Sequence, residues 1–141
     1  MKRFEQGDFA ELSAMQWLGG RGARIAVPVG HNDSWDLVAE LDGKLERVQV
    51  KTCGFWRNDR WEVTLCTRGG NRSWSGISKR LDPSSFDYLF VHVADGRRWM
   101  IPAAELETSS SLLVGGPKYA CFEIEAGAAF PSRADAPATA F

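Results

Sequence analysis

The dipeptide Asp42-Gly43, set between Leu41 and Lys44 and flanked by two runs of alternating residues, constrains the fold more than any other feature of the chain. Asp-Gly suits the two central positions of a type I′ turn, where the backbone takes positive φ. A two-residue loop also fixes the register of its hairpin. Leu41 then faces Lys44, Asp36 faces Gln49, and Ser34 faces Lys51. Facing side chains share one side of the sheet with Cβ atoms roughly 5 Å apart, and a residue two further on projects from that side about 7 Å along. The pattern predicts strands Ser34–Leu41 and Lys44–Cys53. Trp35, Leu37 and Ala39 should pack with Val48 and Val50 on one face, leaving Asp36, Gln49 and Lys51 together on the other.

Upstream, Glu5–Leu18 reads as a helix stopped by Gly19-Gly20, with Glu5 and Asp8 near its positive end. Ala14, Met15 and Leu18 fall within about 60° of Glu11 on a helical wheel, and Ala10, Leu12 and Trp17 widen the stripe. Glu11 is therefore expected near the middle of the buried face. A carboxylate there needs a cation, a metal or strong donors, and a structural arginine or backbone amide would serve as well. Further strands are expected at Arg24–Val29, Arg60–Thr67, Tyr88–Val93, Trp99–Pro102 and Ala120–Ile124, with one helical turn over Ala103–Leu106. The Ala- and Pro-rich stretch 126–141 lacks periodicity and reads as a flexible tail, leaving residues 1–125 as a single domain.

With 44% apolar and 25% charged residues, the chain has the composition of a globular protein, and its longest apolar runs, such as Tyr88 to Val91, are strand-length. No secretory signal opens it, so an intracellular, cytoplasmic location is expected, without a membrane partner. Cys53, Cys66 and Cys121 form neither a disulfide framework nor a zinc signature, and reduced, mostly buried thiols are expected. A net charge of −1 argues against coating nucleic acid indiscriminately. The charge is unevenly spread, however: no acid lies between Glu62 and Asp82, while Arg68, Arg72, Lys79 and Arg80 all do. Arg57, Arg68, Arg72, Trp74, Lys79 and Arg80 are candidates to hold phosphates or pack on sugars and bases, whereas Trp61 belongs in a strand core.

Hydrolysing a phosphodiester calls for a hard divalent cation with oxygen ligands. Asp36 can give a carboxylate, Gln49 an amide oxygen, Val50 a backbone carbonyl, and Glu11 a second carboxylate directly or through water. Lys51 can hold the attacking water or neutralise charge on the phosphate. The competing reading of these residues alone is a solvated hairpin face with an Asp-Lys contact. The loop His31-Asn32-Asp33 precedes Asp36 and could touch a nucleic acid or a metal; His31 suits an exposed loop histidine better than a base. Asp87 can buttress the site or cap a turn, and pairing a cysteine nucleophile with His31 or His92 has no positional support.

The linked motifs resemble the PD-(D/E)XK nuclease superfamily. More narrowly, they resemble its branch of small group I intron homing endonucleases and their bacterial relatives, which carry Gln-x-Lys in place of acid-x-Lys. The residues carrying the likeness are Gly7 and Glu11, Val27-Pro28-Val29-Gly30, Trp35-Asp36-Leu37-Val38, Val48-Gln49-Val50-Lys51-Thr52, Phe86-Asp87-Tyr88-Leu89 and Ile101-Pro102, spanning about Lys2 to Leu106. The resemblance implies an α/β, restriction-endonuclease-like core: a central mixed β-sheet with the N-terminal helix packed on it. It implies Glu11, Asp36, Gln49 and Lys51 at the catalytic positions, with Asp36, Gln49, Val50 and Glu11 around Mg²⁺, or Mn²⁺ as a substitute. Double-stranded DNA would be cut to leave 5′-phosphates. Cutting both strands requires two such sites, hence a homo-oligomer, dimer or tetramer. Gln49, neutral where an acid is usual in the superfamily, leaves open a weak or inactive nuclease-fold DNA-binding module. A structure-specific nuclease like a Holliday-junction resolvase shares the same core.

Overall fold

The computed structural model describes residues 2–30, 34–68 and 78–131. Helix α1 (Arg3–Gly20) is followed by β1 (Arg24–Ala26), β2 (Leu37–Leu41) and β3 (Lys44–Cys53). Then come β4 (Trp56–Arg57), β5 (Arg60–Thr64), β6 (Thr67–Arg68), β7 (Ser78–Lys79), β8 (Tyr88–Val93), β9 (Arg98–Pro102), β10 (Ser111–Val114) and β11 (Glu123–Ile124). The main sheet has the order β1-β2-β3-β8-β9-β11, and a smaller one the order β10-β5-β4. Only β3 and β8 run parallel within the main sheet, so it is mixed, as expected. The parallel pairing needs a long crossover, and the chain between these strands carries β4 and β5 of the small sheet, which β10 completes after β9.

β8 shows why the molecule is layered. Its run Tyr-Leu-Phe-Val-His-Val is buried on both faces and apolar but for His92, the mark of a strand covered twice. Leu89, Val91 and Val93 pack with Trp61, Val63, Leu112 and Val114 of the small sheet and with Leu65 just after β5. Phe90 turns the other way, to Ala10, Ala14 and Leu18 of α1 with Leu37, Ala39, Val48 and Val50. Each fully buried Leu, Val or Phe contributes roughly 1.5–3 kcal/mol of burial.

The hairpin register is the one the turn dictates, running from Leu41↔Lys44 to Leu37↔Val48. Asp42 and Gly43 have φ of 52° and 78°, both positive as a type I′ turn requires. The expected pairing fails at its open end. β2 begins at Leu37 rather than Ser34, and the Asp36 N–H donates to the Val48 carbonyl at 2.8 Å. That bend breaks the alternation, so Trp35 packs on the small-sheet side while Leu37 packs under α1. The facing pairs Asp36–Gln49 and Ser34–Lys51 are not among the register pairs.

In α1 the buried spine is Ala10, Ala14 and Leu18, four residues apart. Leu12, expected in the stripe, is exposed, and Glu11 is half-buried at the margin rather than at the centre. β1 stops at Ala26, three residues short of the expected end, and Arg60–Thr67 divides between β5 and the start of β6. Ala120–Ile124 splits into a 3₁₀ turn and the edge strand β11. β4 and β10 had no counterpart in the sequence pattern. Ala126–Pro131, assigned to the tail, lie against the body: Gly127 and Phe130 donate backbone N–H groups to Gly96 and Ala94 at 2.8 Å. Of the three free cysteines only Cys53 is buried, and Cys121 is exposed. Among the described residues no helix is long and apolar enough to cross a membrane.

Candidate active site

The bend at Asp36 creates the site. Beyond Val48, β3 has no partner in β2, so the Val50 N–H and C=O point toward the place where β2 would have continued. The Asp36 carboxylate Oδ2 accepts the Val50 N–H at 2.7 Å. The Gln49 amide Nε2 donates to the Val50 carbonyl at 3.4 Å. Carboxylate, amide and backbone carbonyl therefore converge at the end of β2, on a strand whose position β8 fixes from the other side.

Lys51 follows on the same strand. Val48 and Val50 belong to the core under α1 and Cys53 to the core under the small sheet, so Gln49 and Lys51 project with Cys53. Burial pushes the Asp36 carboxyl above the usual carboxylate range, opposed by the Val50 N–H and the Lys51 charge. Burial likewise pulls Lys51 below its usual range, opposed by Asp36 and then by Cys66. Acid and ammonium are thus close enough to act on each other, and both are held partly out of water.

Glu11 approaches from the helix side. Together with Asp36 it lines a cavity of about 330 Å³ whose other walls are Met15, Val27, Pro28, Gly30 and Trp35. Gln49 and Lys51 are outside that lining. The site therefore wraps around the sheet edge, with Glu11 on one flank, Lys51 on the other and Asp36 between. Among the described residues no three His, Cys, Asp or Glu side chains cluster as a metal site. The oxygen set here has two acids, one amide and one backbone carbonyl, which suits a Mg²⁺ ion that keeps several of its waters.

The basic residues are less fully placed. Arg57 is exposed and lies 3.9 Å from the Glu62 carboxylate, and Arg80 is exposed. Arg68 and Lys79 stand on the paired strands β6 and β7, whose side chains are outside the description. Arg72 and Trp74, like His31 and Asn32, lie outside the described residues. Cys66, near enough to Lys51 to influence its proton affinity, immediately precedes β6, so the basic hairpin springs from beside the site. Trp61 is buried, as expected, while Trp56 is 47% exposed and meets it edge-on with centroids 5.0 Å apart. Asp87 accepts the Arg47 backbone N–H at 2.7 Å and its guanidinium at 3.2 Å, and the Arg47 side-chain bond holds its carboxyl below the usual range. It ties the start of β3 to β8.

Sequence reasoning missed one polar cluster, Ser13, His92 and Arg98. Its signal was a histidine and an arginine inside otherwise apolar strands.

The model of a family described as PD-(D/E)XK endonuclease matches residues 1–120. Among solved structures, a bacterial homing endonuclease, I-Ssp6803I, superposes with a TM-score of 0.75 at 19% identity, covering 87% of this chain and 89% of its own. No curated protein matches the sequence. With an open sheet edge that joins Asp36, Gln49 and Lys51, and a family pattern that runs through all of them, the chain belongs to the PD-(D/E)XK endonuclease family.

Proposed function

We propose that this chain is a metal-dependent endodeoxyribonuclease that hydrolyses phosphodiester bonds in double-stranded DNA and leaves 5′-phosphates. The observation that carries the reading is the convergence of Asp36 and Gln49 on the two backbone groups of Val50, one residue before Lys51. Asp36, the Val50 carbonyl, the Gln49 amide oxygen and, directly or through water, Glu11 would hold Mg²⁺, with Mn²⁺ able to replace it. When bound, the ion supplies positive charge to the phosphate and a more acidic water. The Val50 N–H fixes the Asp36 carboxylate, leaving Oδ1 for the ion. Lys51, kept close to Asp36 and partly desolvated, orients the attacking water and offsets charge developing on the phosphate. The hairpin root beside Lys51, with Arg68, Lys79 and Arg80, and the exposed Arg57 would meet the DNA backbone, joined by Arg72, Trp74, His31 and Asn32. Two chains at least would be needed to cut both strands, so the working form is a homo-oligomer acting inside the cell.

One observation favours a second reading, a nuclease fold retained for binding. The Gln49 side chain presents its NH₂ end to the Val50 carbonyl, so a metal at that carbonyl requires the amide to turn. Incubating a randomised duplex library with Mg²⁺, Mn²⁺ or chelator separates the two. Metal-dependent products bearing 5′-phosphates, absent with Asp36→Asn, support the nuclease. DNA binding indifferent to metal, without cleavage, supports the module. Including four-way junctions shows whether branched DNA is preferred to linear.

A further inference from the structure

The Ser13, His92 and Arg98 cluster lies across α1 from the cavity. His92 is fully buried in β8, with Nε2 2.8 Å from the Ala128 carbonyl and Nδ1 2.7 Å from Ser13 Oγ. A carbonyl only accepts, so Nε2 carries the proton. Nδ1 of the neutral ring then accepts the Ser13 hydroxyl. Arg98 is 4% exposed. Its Nη1 donates to Ser13 Oγ at 3.2 Å, to the Ser13 carbonyl at 3.4 Å and to Gln16 Oε1 at 2.8 Å, while Nε donates to the Glu125 carbonyl at 2.8 Å. Trp17 Nε1 donates to the Glu125 carboxylate at 2.7 Å. Ser13, Gln16 and Trp17 are thus tied on one flank of the helix to β8, β9 and the segment after β11.

Ser13 is two residues past Glu11, about 200° around the helix. The polar ties hold one flank, and Glu11 faces the cavity with Asp36 on the other. Two of the three fully buried spine residues, Ala10 and Ala14, are small, so the rotation of α1 rests on the larger contacts of Leu18, Met15, Trp17 and Phe9 together with these polar ties. A roll of about 10° carries a side chain roughly 5–6 Å from the axis by about 1 Å. A displacement of that size can cost about a hundredfold in rate. We propose that Ser13, Arg98 and His92 are positioning residues that set the rotation of α1, and so the place of the Glu11 carboxylate relative to Asp36. The proposal rests on Glu11 belonging to the metal site.

Ser13→Ala tests it, since alanine keeps the helix while removing the hydroxyl that both Arg98 and His92 use. Calorimetry with Mn²⁺ and no DNA should show affinity about 10–100-fold weaker, the range for loss of a group that orients a metal ligand. Cleavage should lose at least about tenfold in kcat with KM for DNA unchanged, and Ser13→Thr should restore both. In a Glu11→Gln background, Ser13→Ala should change Mn²⁺ affinity no further. Wild-type Mn²⁺ affinity in Ser13→Ala, or an undiminished loss in the Glu11→Gln background, overturns the proposal while leaving the site assignment standing. Glu11→Gln that binds Mn²⁺ like wild type overturns the assignment of Glu11 and the proposal with it. If Ser13→Ala does not fold, Gln16→Ala removes one tie from the same flank. It should weaken Mn²⁺ affinity a few-fold, and no change there overturns the proposal equally.

Discussion

Replacing Asp36 by asparagine separates the metal from the fold. Without metal, two effects oppose. The 2.7 Å bond from the Val50 N–H becomes neutral rather than charge-assisted, a loss of about 1 kcal/mol. Against it, the buried carboxylate whose charged form burial disfavours is gone. The net change should stay within about 1 kcal/mol, or roughly 4 °C in Tm for a chain of this size. With metal the difference is large. At a concentration about 100 times Kd, binding stabilises the wild type by about 2.7 kcal/mol, near 10 °C. The asparagine side chain would turn an NH₂ group toward the place where the ion needs an oxygen, so the variant should gain almost nothing. Thermal unfolding of both proteins with chelator and with Mn²⁺ measures this directly. An equal Mn²⁺-induced rise in the Asp36→Asn variant would refute the role given to Asp36.

Three further outcomes are expected. Lys51→Met removes an ammonium that burial already disfavours while keeping its stem. Folding should be retained and Mn²⁺ affinity preserved, with single-turnover cleavage falling roughly 10²–10³-fold. His92 is pushed, chiefly by burial, below its ordinary value of 6.5, so the folded state holds its proton less tightly than the unfolded one. Its contribution is complete above pH 6.5 and is lost as pH falls from there through the folded value. Denaturant midpoints should drop as pH falls below about 6.5, and His92→Gln should flatten that slope. Gly96 has φ of 98°, and a Cβ there would sit 2.5 Å from the Gly127 carbonyl oxygen. Gly96→Ala should cost about 1–3 kcal/mol in urea unfolding and loosen the 126–131 segment to proteolysis.

What could be read from the sequence follows the range of the forces involved. The Asp42-Gly43 turn sets its register through backbone geometry alone, so the pairs from Leu41–Lys44 to Leu37–Val48 were legible. Tyr88–Val93 was legible because a strand buried on both faces is apolar at nearly every position, His92 being the exception. Legibility ended where tertiary contacts override alternation. Trp35 breaks the period-two pattern to reach the small-sheet core, and that break lets Asp36 bond to Val50 instead of facing Gln49. The two-residue strand β4 and the four-residue β10 are paired only through β5, and neither has a local pattern strong enough to announce itself. Glu11 lies on α1 as expected but nearer the margin, because Leu12, apolar on the helical wheel, is 65% exposed and the buried face is centred on Ala10, Ala14 and Leu18. Ser13, His92 and Arg98 escaped because they carry no motif, only complementarity across 79 and 85 residues of chain.

A crystal soaked in Mn²⁺ and measured at the manganese absorption edge tests the central claim most directly. An anomalous peak is predicted at the end of β2, within about 2.0–2.3 Å of an Asp36 carboxylate oxygen and the Val50 carbonyl oxygen. The Gln49 amide should be turned so that its oxygen faces the ion. Full occupancy at another position, with Asp36 and Val50 still bonded only within the protein, would contradict the account.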